Sequence, residues 1–173
     1  MPPEIEALLA SSERTLTERQ SKQVVKFFGI PVSREVLAST PGETIAAAEE
    51  IGFPVAMKVD SPDILHKTEA QAIRLGVASD REVASAFEEI TNNAGKYSPE
   101  ARINGILVQE MIPQGIEAIV GINRDPQFGP VIMFGLGGIF VEVLKDVSMR
   151  LAPVSLDEAF QMIRRVESRR AQR

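Results

Sequence analysis

The sequence contains no cysteine and no tryptophan, and it has one histidine and one tyrosine. Without cysteine there are no disulfides, no thiolate catalysis and no cysteine-ligated metals, and a single histidine excludes a multi-histidine metal site. No apolar run approaches the roughly 20 residues that cross a bilayer, and the N-terminus lacks a basic leader followed by an apolar core. These absences predict a cytoplasmic protein with no membrane segment.

Basic side chains (19 Lys and Arg) are fewer than acidic ones (24 Asp and Glu). The formal net charge is −5, which argues against a general nucleic-acid binder, because phosphate contacts require a basic surface. The one basic cluster, RRVESRRAQR at 164–173, closes a predicted helix, where favourable interaction with the helix C-terminus accounts for it. The 173 residues suffice for one compact domain or two small lobes.

Local signals divide the chain into a mixed first part and a strand-rich second part. Caps at Thr17, at Thr40 with Pro41, and at Ser79 or Asp80 predict three helices, and Gly95 with Pro99 marks the end of the third. The runs FPVAMKV (53–59) and AIRLGV (72–77) predict strands. From residue 103, four apolar runs (INGILVQEMI, IEAIVGINRD, GPVIMFGLGG and IFVEVL) predict a run of sheet, and a last helix begins after Ser155.

Two charged residues lie on or beside predicted strands. Lys58 sits within a buried strand, so its ammonium needs a partner, which is either a phosphate or a carboxylate at the solvent end of the strand. Glu110 follows a strand where the chain passes between the two parts. It is either a simple solvated carboxylate or part of a hinge that holds an adenine edge and a ribose hydroxyl.

Glycines and carboxylates in the second part suggest two weaker motifs. Gly135, Gly137 and Gly138 in FGLGG permit close approach to an anion, or else form a plain hairpin between strands. Glu142 and Asp146 would share one face of a strand and offer oxygen ligands to a divalent ion, although one such pair leaves the metal ligands unknown.

His66 in SPDILHK is the strongest candidate for chemistry. A lone histidine often has only a structural role in a loop. A neutral imidazole is also a nitrogen nucleophile for phosphoryl groups, and its pKa near neutrality suits transfer in both directions.

Three segments together resemble a known family. They are GFPVAMKVDSPDILHKTE (52–69), ILVQEMI (106–112) and RDPQFGPVIMFGLGGIFVEVLKDVSMRLAP (124–153). They resemble the nucleotide-binding ATP-grasp part of the NDP-forming acyl-CoA synthetases, which include the ADP-forming acetyl-CoA synthetases. Related ATP-grasp segments are fused to protein lysine acetyltransferases.

The resemblance implies a fold and a reaction. The implied fold is α/β (α+β): a two-lobed ATP-grasp-like fold, with a first lobe at 1–104 that includes the N-terminal helices and a partial, incomplete second lobe at 105–173. The implied reaction interconverts acid, CoA and ATP with acyl-CoA, ADP and phosphate. ATP/ADP and Mg²⁺ are the implied ligands, and the implied partner is the CoA-binding subunit or domains, without which the overall reaction is not expected.

The resemblance also implies roles for individual residues. His66 matches the histidine that carries a phosphoryl group, and Lys58 matches the lysine that contacts nucleotide phosphates. Glu110 and Met111 match the adenine hinge, and Glu117 lies where an acid near the ribose or phosphates is expected. The loop through Gly135, Gly137 and Gly138 would cover phosphate.

Two other interpretations remain open. The sequence after the histidine, HKTEAQA, also allows a non-catalytic nucleotide-binding or regulatory module related to the acetyltransferase-fused segments. The second interpretation is a degenerate fragment that folds poorly. Its unfinished sheet would expose an open edge and apolar surface, which favours self-association.

Overall fold

A computed structural model describes residues 1–10, 15–137 and 147–171 of the chain. The chain divides into two compact units, Met1–Ile112 and Pro113–Arg173, and each contains helical residues and an antiparallel sheet. Within the described ranges, none of the helices is both long and apolar enough to cross a membrane.

The first unit packs helices against a four-stranded sheet. Along the chain its elements are α1 (Pro3–Ala10), α2 (Glu18–Phe27), β1 (Glu35–Ala38), α3 (Pro41–Ile51), β2 (Val55–Asp60), β3 (Ile73–Val77), α4 (Asp80–Tyr97) and β4 (Gly105–Glu110). The strand order is β1-β4-β2-β3, and every neighbouring pair is antiparallel.

Side-chain caps fix where the helices begin. The Thr17 hydroxyl accepts a hydrogen bond from the Gln20 backbone N–H, and the Gln20 side chain accepts one from the Thr17 N–H, which forms a capping box. Thr40 and Ser79 cap α3 and α4 in the same local way. The three predicted helix starts are therefore confirmed.

The core lies on one face of this sheet. Alternation along β2 and β4 turns Val55, Met57 and Val59 toward α3 and α4, together with Ile106 and Val108. The same alternation places Lys58 on the opposite face. This arrangement gives the sheet one apolar face and one face that carries polar groups.

The predicted boundary between the two parts is wrong. We expected the second part to begin at residue 105, but β4 is a central strand of the first sheet, hydrogen-bonded to both β1 and β2. The division therefore follows Ile112 rather than residue 104. Helix α1 and strand β1 were not predicted.

The second unit contains a three-stranded antiparallel sheet in the order β5-β6-β7. Its elements are β5 (Ala118–Asp125), β6 (Gly129–Leu136), β7 (Val147–Leu151) and α5 (Leu156–Ala171), and α5 begins after Ser155 as predicted. Strand β7 was not predicted, and the predicted run at 139–144 lies outside the described residues. On β5, Val120 and Ile122 are exposed, so this sheet presents apolar surface.

Helix α4 continues through Gly95 to Tyr97, although Gly95 was expected to end it. Nothing lies within 4 Å of a Cβ added there. We expect Gly95→Ala to raise the free energy of unfolding by about 0.5–1 kcal/mol, because alanine loses less backbone entropy in a helix. Gly52→Ala should instead lower it by about 1 kcal/mol or more, because Gly52 has φ +95°. Urea unfolding of both variants measures these changes. Equal changes in the free energy of unfolding at the two positions would contradict the prediction.

Candidate functional site

Lys58 and His66 line one open pocket of about 320 Å³ in the first unit. The pocket lies on the polar face of the sheet and includes the start of α2, the end of β2 and the loop that follows it. Its lining residues are Glu18, Lys58, Leu65, His66, Lys67, Thr68, Glu69 and Ile73. The structure thus brings together the two residues singled out by the sequence for phosphate chemistry.

Lys58 is held by two polar partners from distant parts of the chain. Its Nζ donates to Glu18 Oε1 at 2.8 Å and to Gln109 Oε1 at 2.8 Å. The Lys58 side chain is 15% exposed, so these hydrogen bonds offset much of the cost of removing an ammonium from water. The structure therefore pairs Lys58 with a carboxylate, one of the two partners considered from the sequence.

Further lysines converge on the same carboxylate. Glu18 Oε1 lies 3.1 Å from Lys22 Nζ, and Glu18 Oε2 lies 3.5 Å from Lys67 Nζ. Lys22 also contacts Glu35 Oε2 at 2.6 Å. We call these five residues (Glu18, Lys22, Glu35, Lys58 and Lys67) the Glu18 cluster. Three lysines against two glutamates give the cluster a formal charge of +1, and the exposed carboxylate of Glu69, which also lines the pocket, balances it.

His66 lies on a short exposed loop between two buried anchors. We define the His66 loop as residues 65–69. Ile64 before it is 1% exposed and packs in the core, and Ala70 after it is 4% exposed. The backbone N–H of Ala70 donates to the His66 carbonyl at 3.0 Å and that of Ala72 donates to the Lys67 carbonyl at 2.8 Å, so the loop closes tightly.

The imidazole of His66 faces solvent. Its side chain is 72% exposed, and its Nδ1 lies 3.9 Å from Glu69 Oε1. A ring nitrogen on this loop is open to a phosphoryl donor bound in the pocket, and the ammonium groups of Lys58 and Lys67, which line the same pocket, would attract such a donor. The geometry is therefore compatible with nucleophilic chemistry at His66.

Sequence reasoning missed Glu18. Helix capping at Thr17 predicted that α2 begins beside it, but its lysine partners at positions 58 and 67 are far away in the sequence. No local pattern joins them. Gln109 was missed for the same reason, since β4 brings it next to Lys58 only when the sheet forms.

The pKa of Glu18 falls to about 2 in the folded chain. Burial acts to raise this pKa, but hydrogen bonds and charge from Lys58 and then Lys22 outweigh burial. Because the folded pKa lies below the unfolded one, the cluster stabilises the fold fully above about pH 5, and this contribution is lost as the pH falls toward 2.

We expect Glu18→Gln to lower the free energy of unfolding by about 1–2 kcal/mol at neutral pH. This value is reduced for solvent screening, because the Glu18 side chain is 26% exposed. The difference should shrink between about pH 5 and pH 2, where the wild-type carboxylate takes up a proton. Urea unfolding of both proteins across this range measures it. A difference that stays constant with pH would contradict the assigned role of the Glu18 charge.

The carboxylate of Glu110 is bound within the first unit. The Arg34 backbone N–H donates to Glu110 Oε1 at 2.7 Å and Arg34 Nε donates to Oε2 at 3.0 Å, and these bonds hold the pKa of Glu110 below its usual range. Met111 follows β4 and is 38% exposed. Whether this segment forms an adenine hinge stays a prediction.

The remaining predicted binding residues belong to the second unit. Glu117 is exposed and precedes β5, and its carbonyl accepts a hydrogen bond from Gly137 N–H at 2.8 Å. Gly135 lies within β6, opposite Ile119 and Val147, so the prediction that it belongs to a loop is wrong. Only a glycine fits at Gly137, because an added Cβ would lie 2.9 Å from the Glu117 Cβ. Gly138 lies outside the described residues.

The described residues contain no group of three histidine or carboxylate side chains arranged to hold a metal ion. Glu142 and Asp146, the carboxylate pair noted in the sequence, lie outside the described residues. The part of the chain that the structure describes therefore does not supply a metal site from protein ligands alone.

Comparison with known proteins identifies the family. Residues 7–173 match the family model of the ATP-grasp domain. The chain is 48% identical over 164 residues to the acetate–CoA ligase (ADP-forming) II subunit beta of Pyrococcus furiosus, covering 95% of this chain and 70% of that relative.

Solved structures agree with this match. One is the Ca. Korarchaeum cryptofilum dinucleotide-forming acetyl-coenzyme A synthetase 1 with coenzyme A, Ca-AMPCP and HgCl⁺. Its TM-score is 0.88 at 43% identity, over 94% of this chain and 72% of that one. Another holds coenzyme A and Mg-AMPPCP, with a phosphohistidine segment that points towards the nucleotide binding site. Its TM-score is 0.75 at 38% identity, over 95% of this chain and 69% of that one. The chain thus belongs to the ATP-grasp family, among the relatives of the ADP-forming acetate–CoA ligase beta subunits.

Proposed function

We propose that this chain is the nucleotide-binding ATP-grasp component of an ADP-forming acyl-CoA synthetase. The proposed overall reaction converts acid, CoA and ATP into acyl-CoA, ADP and phosphate through a phosphohistidine at His66. One observation carries the proposal: the exposed imidazole of His66 and the ammonium of Lys58 line the same pocket. The phosphohistidine segment of the similar acetyl-CoA synthetase structure supports it.

The proposed step is a phosphoryl transfer between nucleotide and imidazole. The bond from the γ-phosphorus to the oxygen bridging ADP breaks, and a bond from phosphorus to an unprotonated ring nitrogen of His66 forms. ADP leaves with the bridging oxygen, and the other ring nitrogen keeps its proton. The reverse step returns the phosphoryl group to ADP, which suits a carrier that works in both directions.

Lys58 has the role of binding the nucleotide phosphates. A phosphate oxygen can replace the Glu18 carboxylate as the acceptor from Lys58, since both are anionic oxygen ligands for an ammonium. Bound Mg²⁺ would neutralise charge on the nucleotide phosphates.

The other residues assigned from the family resemblance form part of the same proposal. Glu110 and Met111 would hold the adenine edge, and Glu117 with Gly137 and Gly138 would lie near the ribose or phosphates. The two compact units would act as the two ATP-grasp lobes. A CoA-binding subunit or domain is the proposed partner for the acyl-transfer half of the reaction, which would take place in the cytoplasm without nucleic acid or membrane.

Nucleotide binding is tested by replacing Lys58. We expect ATP with Mg²⁺ to raise the melting temperature of wild type, and Lys58→Met to raise the half-saturating ATP concentration about 10-fold to 100-fold, the worth of a charge-assisted hydrogen bond. Lys96→Met, at an exposed position on α4, is the matched control and should bind as wild type does. Equal ATP binding by wild type and Lys58→Met would show that Lys58 does not bind the nucleotide.

The thermal titration also separates the alternative function. Stabilisation by ATP without any phosphorylated protein would favour a non-catalytic nucleotide-binding module related to the acetyltransferase-fused segments. A wild-type chain that ATP does not stabilise at any concentration would contradict both functions.

A further inference from the structure

The carboxylate of Glu18 connects two lysines with different positions in the pocket. Glu18 Oε1 accepts from Lys58 on the sheet at 2.8 Å, and Glu18 Oε2 lies 3.5 Å from the ammonium of Lys67 on the His66 loop. Oε1 therefore faces Lys58 and Lys22, whereas Oε2 faces Lys67. Because Glu18 is the first residue of α2, its backbone is fixed by the capping box at Thr17.

Lys67 differs from its neighbours on the loop. Its side chain is 17% exposed, whereas the side chains of His66 and Glu69 are 72% and 70% exposed. The loop's backbone hydrogen bonds run from Ala70 to His66 and from Ala72 to Lys67, so they shape the turn without reaching α2. The ion pair of Lys67 with Glu18 joins the loop to α2.

We propose that Glu18 is a positioning residue that holds the His66 loop beside Lys58, with Oε1 on Lys58 and Oε2 on Lys67. Its effect on phosphoryl transfer rests on the proposed function above, whereas its anchoring of the loop does not. Because Lys67 is bonded directly to His66 along the chain, an anchor on Lys67 limits where the imidazole can lie relative to a phosphate on Lys58.

The substitution Glu18→Gln has a distinctive expected outcome. Glutamine keeps the size of the side chain but removes the charge that attracts both ammonium groups. The loop should become looser, so the rate of His66 phosphorylation should fall about 10-fold to 100-fold, as expected for a misplaced reacting group. The half-saturating ATP concentration should not rise, since Lys58 loses an internal anion that competes with phosphate.

Two readouts on the full chain test the proposal. Amide hydrogen exchange of peptides covering the His66 loop, without nucleotide, reports the anchor directly. The rate of acid-labile label transfer from γ-labelled ATP with Mg²⁺, measured over a range of ATP concentrations, separates rate from binding. Glu49→Gln, an exposed carboxylate on α3 outside the pocket, is the matched control and should leave both readouts unchanged.

We expect faster exchange in the loop and slower label transfer in Glu18→Gln, at an unchanged or lower half-saturating ATP concentration. If the His66 loop of Glu18→Gln exchanges its amide hydrogens at the wild-type rate, Glu18 does not anchor the loop. If the half-saturating ATP concentration rises as the rate of label transfer falls, Glu18 has only a structural role. If Glu18→Gln does not fold, Lys67→Gln carries the hydrogen-exchange test, because it breaks the same ion pair and leaves the Glu18–Lys58 pair in place. If wild type takes up no label, the proposed function fails, and loop exchange alone decides whether Glu18 is an anchor.

Discussion

Replacing His66 with asparagine is expected to abolish exchange of label between ADP and ATP by this chain. A phosphohistidine carrier splits the overall reaction in two, so the nucleotide half should run without CoA or acid. Asparagine has no ring nitrogen that can accept a phosphoryl group. Loss of the nucleophile should lower the exchange rate by about 10³-fold or more. The measurement is incorporation of labelled ADP into ATP with Mg²⁺ present.

The fold should not change in this variant. The His66 side chain is 72% exposed, and its Nδ1 lies 3.9 Å from Glu69 Oε1, so the free energy of unfolding should stay within about 0.5 kcal/mol of wild type. Nucleotide-dependent stabilisation should also persist, because Lys58 is untouched. Exchange at the wild-type rate in a folded His66→Asn protein would show that His66 carries no phosphoryl group.

The largest expected effect on stability is at Leu107. Leu107 lies on the central strand β4 and is fully buried, opposite Lys58 on β2 and Leu37 on β1. Leu107→Ala should lower the free energy of unfolding by about 2.7–5 kcal/mol, because it removes buried methyl groups and leaves a cavity. Since Leu107 shares the sheet face of Lys58, the variant should also weaken nucleotide binding.

Leu75→Ala is the matched control. Leu75 belongs to the edge strand β3 of the same sheet but is 65% exposed, so its truncation should cost about 0.5 kcal/mol or less. Urea unfolding at neutral pH, with equal slopes in both variants, measures the difference. Similar losses at the two leucines would mean that the polar face of the sheet is not packed as described.

The sequence was most informative where structure depends on near neighbours. Thr17 with Gln20, Thr40 with Pro41, and Ser79 are helix starts made by side chains within three residues of one another, so each could be read directly. Apolar runs bounded by turn residues also indicated β2, β3, β5 and β6, because buried strands need continuous or alternating apolar residues.

Features that depend on distant partners were missed or misplaced. Strand β1 is four residues long and begins at Glu35. Its extended form depends on pairing with β4, in which Glu35 is opposite Gln109, so the partner strand lies more than 60 residues later in the sequence. Because β4 pairs with β1, it belongs to the first unit rather than to the second, where we expected it. Amphipathicity did not reveal α1, in which Ile5 is the buried residue.

The candidate site shows the same division. His66 and Lys58 were found because their residue types have few common roles in a loop and a buried strand. Glu18 and Gln109 are ordinary residue types whose importance appears only when folding brings them to Lys58. Arg34, which binds the carboxylate of Glu110, likewise comes from a distant part of the sequence, just before the neighbouring strand β1.

Intact mass of the purified chain after incubation with ATP and Mg²⁺ tests the central claim most directly. The account predicts a gain of one phosphoryl group that is lost in acid and is absent from His66→Asn. A wild-type mass that does not change, in a chain that ATP clearly stabilises, would contradict the phosphohistidine and leave a nucleotide-binding module.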